Sequence, residues 1–360
     1  MARYAHLDGL RGIASLVVTA HHCYVIDWKK ATAGERAASV VLDPFAVAVF
    51  FAISGFSIAS IPPKRCLRFC LARWPRLALP VLAATLWIWL LWPTHDVTEL
   101  LQDIPINTLV KFFVPRNVCD VNTPTPWARS FLNLSPSGAH TFQLWTMFPE
   151  MRGSVLVVAW NLAQPSLDRP LLVLSVASAF VVAFEPSICM FVLGIWLRIH
   201  YLRVGVLSRP IMGCAQCAAY IALKCGWESI RALPVTPWVT YVLDELGVFV
   251  SIARCALIFC AVNNLPILHD TLANMPRLGK LSFSIYLLHI WARNLILYYH
   301  AELDKRLLII ATLALVLPSA HALSLVDERA ITFSKQAAAA ACIPSGEPEA
   351  LGGTPETQGP

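Results

Sequence analysis

Ten apolar runs separated by short polar stretches leave this chain few folds to choose from. They fall at about 12–28, 41–61, 77–93, 142–162, 170–184, 187–199, 211–226, 239–264, 281–299 and 307–325. A helix needs roughly 20 apolar residues to cross a bilayer, so the runs have the scale of membrane helices. Of the 360 residues, 57% are hydrophobic and 14% charged. A soluble domain carries about a quarter charged residues. A disordered chain, a coiled coil and an ordinary cytosolic enzyme are thereby excluded. The expected fold is all-α, a polytopic membrane bundle of about ten transmembrane helices whose surroundings are the lipid bilayer.

Charge gives the orientation. The net charge of +6 comes from 28 basic and 22 acidic residues, and the basic ones sit between apolar runs. That is the pattern of cytosolic membrane loops rather than of a nucleic-acid reader, so no nucleic acid is expected as a partner. Ile61 to Arg76 holds Lys64, Arg65, Arg68, Arg73 and Arg76 with no acid, which places it in the cytosol. Both termini then face the cytosol. Arg198, Arg203, Arg209, Arg277 and Lys280 agree; Lys29 and Lys30 do not, although Asp27, Glu35 and Asp43 lie near them. The loop at 94–141 falls on the far side and contains the glycosylation sequon Asn133-Leu134-Ser135, followed by Pro136. The first run is interrupted by His21, His22 and Cys23 and lacks a cleavage site, so it reads as a retained helix. Residues 1–330 are expected to form the membrane domain and 331–360 a disordered tail. The expected location is an ER-like endomembrane. The 11 cysteines show no disulfide framework, and Cys214 and Cys217 read as core residues. No metal is expected.

Polar side chains inside apolar runs are costly and are therefore candidates for function. Arg11 and His22 are 11 residues apart, which brings them back to nearly the same helix face, about 16 Å along the axis. His21 points elsewhere. An arginine fork suits a phosphate and an imidazole suits a general base; a snorkelling Arg and a hydrogen-bonded His are the plain alternative. Ser54-Gly55, within Phe50–Phe56, reads first as a close helix contact and second as part of a site. Arg73 and Arg76 signal topology or bind phosphate. Glu150, two residues from Arg152, forms a structural pair or belongs to a site. Ser282, Tyr286 and His289 fall at i, i+4 and i+7 and share a face that must meet protein or a cavity, the same cavity as His22. Asp244, Glu245 and Arg254 in the eighth run are explained as well by an ion network.

Five blocks in order resemble the acyltransferase 3 family of integral membrane acyltransferases. They are His6–Ala14 with His22, Phe50–Phe56, Arg73 with Arg76, Leu144-Trp145-Thr146 to Glu150, and Leu278–His289. The run Glu150–Ser154 and the stretch Val326-Asp327-Glu328 are most similar to the fungal branch. The resemblance implies ten core helices and transfer of an acyl group, commonly acetyl, from acyl-CoA to an acceptor hydroxyl. It implies His22 as catalytic base, with Arg11, Arg73 and Arg76 near the phosphates of the CoA donor. Glu150 is the second catalytic candidate, and Ser54, Ser282, Tyr286 and His289 are the pocket candidates. Fungal relatives that stand alone point to a small natural product as acceptor.

A reading of another class is a secondary transporter with His22, Glu150 and His289 as a proton relay. Transporters usually show an internal repeat, and none is visible here.

Overall fold

The computed structural model describes residues 4–24, 45–91, 146–166, 170–184, 186–204, 209–231 and 237–341. Among them the secondary structure is helical, with no strand. The helices are α1 (Ala5–Cys23), α2 (Phe45–Ile58), α3 (Cys66–Leu91), α4 (Met147–Ala163), α5 (Pro170–Phe184), α6 (Pro186–Val204), α7 (Pro210–Arg231), α8 (Pro237–Asn264), α9 (Pro266–Ala273), α10 (Pro276–Tyr299) and α11 (Lys305–Ala341). Ten long helices stand where the ten apolar runs lie, and the short α9 is an addition. The protein is an all-α membrane bundle.

Six of these helices, α5 to α10, start on a proline. Proline has no amide hydrogen to lose in the first turn, and its fixed φ already suits a helix. The prolines that punctuate the apolar runs therefore mark where each helix begins. Pro75 and Pro80 within α3 and Pro318 within α11 are interior instead. There each removes one backbone hydrogen bond, a local weakness that long helices tolerate as a kink.

Two described helices are long and apolar enough to cross a membrane by length and hydropathy alone, Pro63–Ile88 and Lys305–Ser334. A third span results if Phe249–Asn264 and Pro266–Ala273, bent by 91° at Leu265, count as one. The sequence leads one to expect a tilt or break in the fourth, sixth or eighth run; the break falls at the end of the eighth. The other helices are shorter or carry polar side chains into the bundle.

Helix α1 runs along α10 and also touches α9, α2 and α11; α2 pairs with α6, α3 with α11, and α7 with α8. Two backbone contacts fix this arrangement. A Cβ on Gly279 would stand 2.5 Å from the Asp8 carbonyl oxygen, and one on Gly12 would stand 2.6 Å from the Leu278 side chain. Only hydrogen fits there, so α1 and α10 meet backbone to backbone. The same holds for α2 and α6, where a Cβ on Gly55 would lie 2.3 Å from the Phe191 carbonyl and one on Gly194 2.4 Å from that of Ala52. Small residues let membrane helices approach this closely. Trp291, Phe56, Phe191 and Phe259 fill the core around these crossings. The buried Asn161 of α4 donates to the carbonyls of Ile58 (2.8 Å) and Ile61 (3.1 Å), satisfying the open end of α2.

Four expectations need correction. Helix α1 begins at Ala5, earlier than residue 12, because His6, Leu7 and Gly9 are buried. Helix α3 begins at Cys66 rather than near 77; its basic residues look like loop in a hydropathy reading but are good helix formers. The tail taken as unstructured from 331 is helical to Ala341, where Gln336 and the alanines that follow favour a helix. Cys214 is exposed on α7, and only its neighbour Cys217 is partly covered, so this pair is not core. The loop at 94–141 with Asn133, residues Asp27 to Asp43, and the tail from 342 lie outside the described residues.

Candidate active site

One cavity of about 100 Å³ opens between α1, α2, α3, α4, α10 and α11. Its polar wall holds Arg11, Ser54, Arg73, Arg76, Glu150, Ser282 and Tyr286, together with Thr146, Lys280 and Asp327. Phe50, Phe51, Leu77 and Met147 supply apolar wall. That volume accommodates several water-sized groups, since one takes roughly 10–15 Å³ on this measure.

Arg11 lies across α10. Its Nε donates to Ser282 Oγ (3.0 Å) and its Nη2 to the Gly279 carbonyl (3.1 Å), while Asp8, one turn earlier, stands 3.5 Å away. Ser282 in turn donates to the Gly279 carbonyl at 2.7 Å. Because Gly279 has no side chain, the α1 backbone comes near enough for the Arg11 fork to reach this carbonyl. The first polar residue of the α10 stripe is therefore the anchor of Arg11.

Glu150, buried at the start of α4, gathers the opposite wall. Its Oε1 accepts from Ser54 Oγ at 2.9 Å and from Arg73 Nη2 in an ion pair. Ser54 is in reach because its neighbour Gly55 draws α2 tightly onto α6, so the dipeptide is both a helix contact and a site. Arg76, one turn beyond Arg73, has no hydrogen bond or ion pair among the described residues. Lys280 pairs with Glu328 at 3.3 Å. Four cationic side chains face the two carboxylates Glu150 and Asp327 in this wall, so the cavity is left with cationic excess. An anionic ligand fits that balance.

Deeper along α10, Tyr286 donates to Thr146 Oγ1 at 3.1 Å. His289 does not line the cavity, which departs from its expected place. It lies three residues beyond Tyr286, 1% exposed, with its ring 5.5 Å from that of Tyr286. Its Nδ1 lies 2.7 Å from the Tyr286 carbonyl. A carbonyl only accepts, so Nδ1 carries the proton and Nε2 holds a lone pair; Nε2 is buried without a hydrogen-bond partner. The ring of His22 stands 5.1 Å from that of His289. His22 is likewise outside the cavity wall. The two histidines are thus together, as the polar face of α1 and the stripe of α10 imply, but one layer beyond the cavity.

Asp327, Lys280 and Thr146 are wall residues that sequence reasoning did not select as site residues. A carboxylate in an apolar helix was the available signal for Asp327. Nothing local marks Thr146, whose place depends on α4 meeting α10. In α8, Arg254 is buried, donates to Tyr220 Oη of α7 at 3.0 Å and covers that ring at 5.0 Å, which makes it part of the α7–α8 contact. The side chains of Asp244 and Glu245 lie outside the described ones.

A family model described as an acyltransferase domain matches residues 4–325. The match covers most of the chain and takes in every residue of the cavity wall except Asp327. No curated protein and no solved structure matches. The chain belongs to this acyltransferase family, the one its five sequence blocks resemble, and is a membrane acyltransferase.

Proposed function

We propose that this membrane acyltransferase moves an acyl group, in the first place acetyl, from acyl-CoA to a hydroxyl of a small-molecule acceptor. The acceptor class is a small natural product of the kind made by fungi. The carrying observation is the cavity in which Arg11, Arg73 and Arg76 converge from two helices with a cationic excess. A CoA donor brings phosphates that such side chains bind, and its long pantetheine arm lets the thioester pass further into the bundle.

Arg76, which makes no hydrogen bond or close ion pair among the described residues and meets the Asp327 carboxylate only through space, takes the donor phosphate directly, with Arg11 beside it. Arg73 is held by Glu150, so Glu150 acts as the positioning residue that sets the guanidinium, with Ser54 holding the carboxylate. His22 is the base. It accepts the proton of the acceptor hydroxyl as that oxygen attacks the thioester carbonyl carbon. The carbonyl oxygen takes the negative charge and needs a donor, for which the Tyr286 hydroxyl is available. Collapse of the adduct breaks the C–S bond, and the leaving thiolate takes up the proton from His22. Ester and free CoA result.

Both termini lie in the cytosol in this proposal, on the side where acyl-CoA is found, and the location is an ER-like endomembrane. Purified full-length protein supplied with acetyl-CoA and an acceptor extract should release free CoA. Comparison of metabolites with and without the gene should then reveal one that is lighter by an acyl mass without it. CoA release that proceeds equally with and without extract, together with an unchanged metabolite profile, would sink the proposal.

A further inference from the structure

The start of α3 carries a surface that neither the cavity nor the fold uses. Pro63–Arg65 forms a short turn and Cys66 opens the helix. Lys64, Arg65 and Arg68 are exposed, and none of them forms an ion pair among the described residues. Beside them Leu67, Leu71 and Trp74 are 67%, 45% and 36% exposed. These three fall at i, i+4 and i+7, so they make one apolar stripe along the helix.

The electrostatics of this patch are unfavourable within the protein alone. The N-terminal end of a helix carries partial positive charge, which favours anions and disfavours cations. Here three cations crowd that end, and no acidic residue stands in the first turn. The patch needs an anion from outside. Geometry says what carries it. The apolar stretch Pro63–Ile88 has 26 residues. At 1.5 Å per residue that is about 39 Å, some 9 Å more than a hydrocarbon core of about 30 Å. The excess puts the basic turn and Leu67 among lipid headgroups, while Leu71 and Trp74 enter the acyl region.

We propose that Lys64, Arg65 and Arg68, with the Leu67–Leu71–Trp74 stripe, form a docking surface for anionic phospholipid. The occupant is a lipid with net negative headgroup charge, not a free anion, because the apolar stripe continues from the basic turn into the acyl region. Such docking holds the start of the helix that, five to eight residues later, carries Arg73 and Arg76 into the cavity. The surface is independent of the acyl-transfer proposal and stands or falls without it.

The test uses the purified full chain in nonionic detergent and two soluble probes, dioctanoyl phosphatidylserine and dioctanoyl phosphatidylcholine. The serine lipid should bind more tightly. In the triple variant Lys64→Gln, Arg65→Gln, Arg68→Gln its affinity should drop about 100-fold, as expected for three lost surface cations. The double variant Arg203→Gln, Arg277→Gln, also exposed and basic, should keep wild-type affinity. Arg68→Gln alone should lose about fivefold, which keeps the test available if the triple variant misfolds. Neither inorganic phosphate nor acetyl-CoA should displace the lipid. Equal affinity for the two lipids, retention of binding in both Gln variants, or displacement by either free anion would overturn the proposal.

Discussion

The imidazoles of His22 and His289 face each other across the α1–α10 contact, with ring centroids 5.1 Å apart and planes tilted by 38°. The backbone contact of Gly12 and Gly279 two to three turns away makes this closeness possible. With its Nδ1 proton directed at the Tyr286 carbonyl, His289 presents a bare Nε2 as the only remaining polar group of its ring. The imidazole of His22 stands opposite it. His22 would donate one N–H to that lone pair and keep its other nitrogen as acceptor, the form a general base requires.

The first prediction concerns His22 itself. His22→Ala should lower acyl transfer by about 10²- to 10⁴-fold, the usual contribution of a positioned base. Membrane insertion and yield should stay near wild type, because His22 is only partly buried. His21→Ala should be milder, since that ring points off the face shared with Arg11. Turnover close to wild type in His22→Ala would remove the base from the mechanism.

The second concerns His289 as a positioning residue. His289→Ala should reduce kcat while leaving both KM values within a few-fold, because the residue lies outside the cavity wall. His289→Gln retains a carbonyl acceptor and should recover part of the lost rate. A structural role alone would give equal loss in both variants, tracking their thermal stability; that pattern is the one to look for in a parallel melting series.

The third separates the two arginines of α3. Arg76→Gln should raise donor KM by about 10- to 100-fold, which corresponds to the roughly 1.5–3 kcal/mol of a hydrogen bond to a charged group. Its stability should change less than that of Arg73→Gln, because Arg76 meets Asp327 through space and not in a close ion pair. Arg73→Gln should also lower stability, because it leaves the buried Glu150 carboxylate without its cation, a loss of about 3–5 kcal/mol in comparable buried pairs. Glu150→Gln in the Arg73→Gln background should restore part of that stability. Independent, additive effects of the two substitutions would show that the ion pair has no energetic coupling.

Much of this was legible in the residues, for identifiable reasons. The ten helices follow from apolar run length and from prolines that open five of them. Seven of the nine candidate site residues line one cavity because each is a polar group within an apolar run, and such groups have nowhere else to go. The helix starts were less legible. Arg68, Arg73 and Arg76 lower local hydropathy without breaking a helix, so α3 looked shorter than it is. The depth of His22 and His289 relative to the cavity was not legible, because it depends on where Tyr286 meets Thr146, the residue before α4. Lys280 read as topology, yet its pairing with Glu328 holds it against the wall. Pairings between helices 48 to 140 residues apart leave no local trace.

The last prediction tests the backbone contact on which the site depends. In Gly279→Ala the new methyl would begin 2.5 Å from the Asp8 carbonyl oxygen, with the Asp8 carbonyl carbon and Cβ at 2.7 Å. Two of these atoms are backbone, so no rotamer change relieves the clash and α1 must move. Overpacking of this kind costs about 1–3 kcal/mol. The shift would also draw Arg11 off the Gly279 carbonyl and Ser282 hydroxyl and separate His22 from His289, so activity should fall further than stability. Gly226, five residues before the end of α7, is the matched control, with nothing within 4 Å of its added Cβ. There alanine should be neutral or stabilising by up to about 1 kcal/mol, through helix propensity alone. Thermal melts and CoA release measured on both variants check the contrast. Equal behaviour of Gly279→Ala and Gly226→Ala would mean that α1 and α10 are not in backbone contact, and the placement of Arg11 would lose its support.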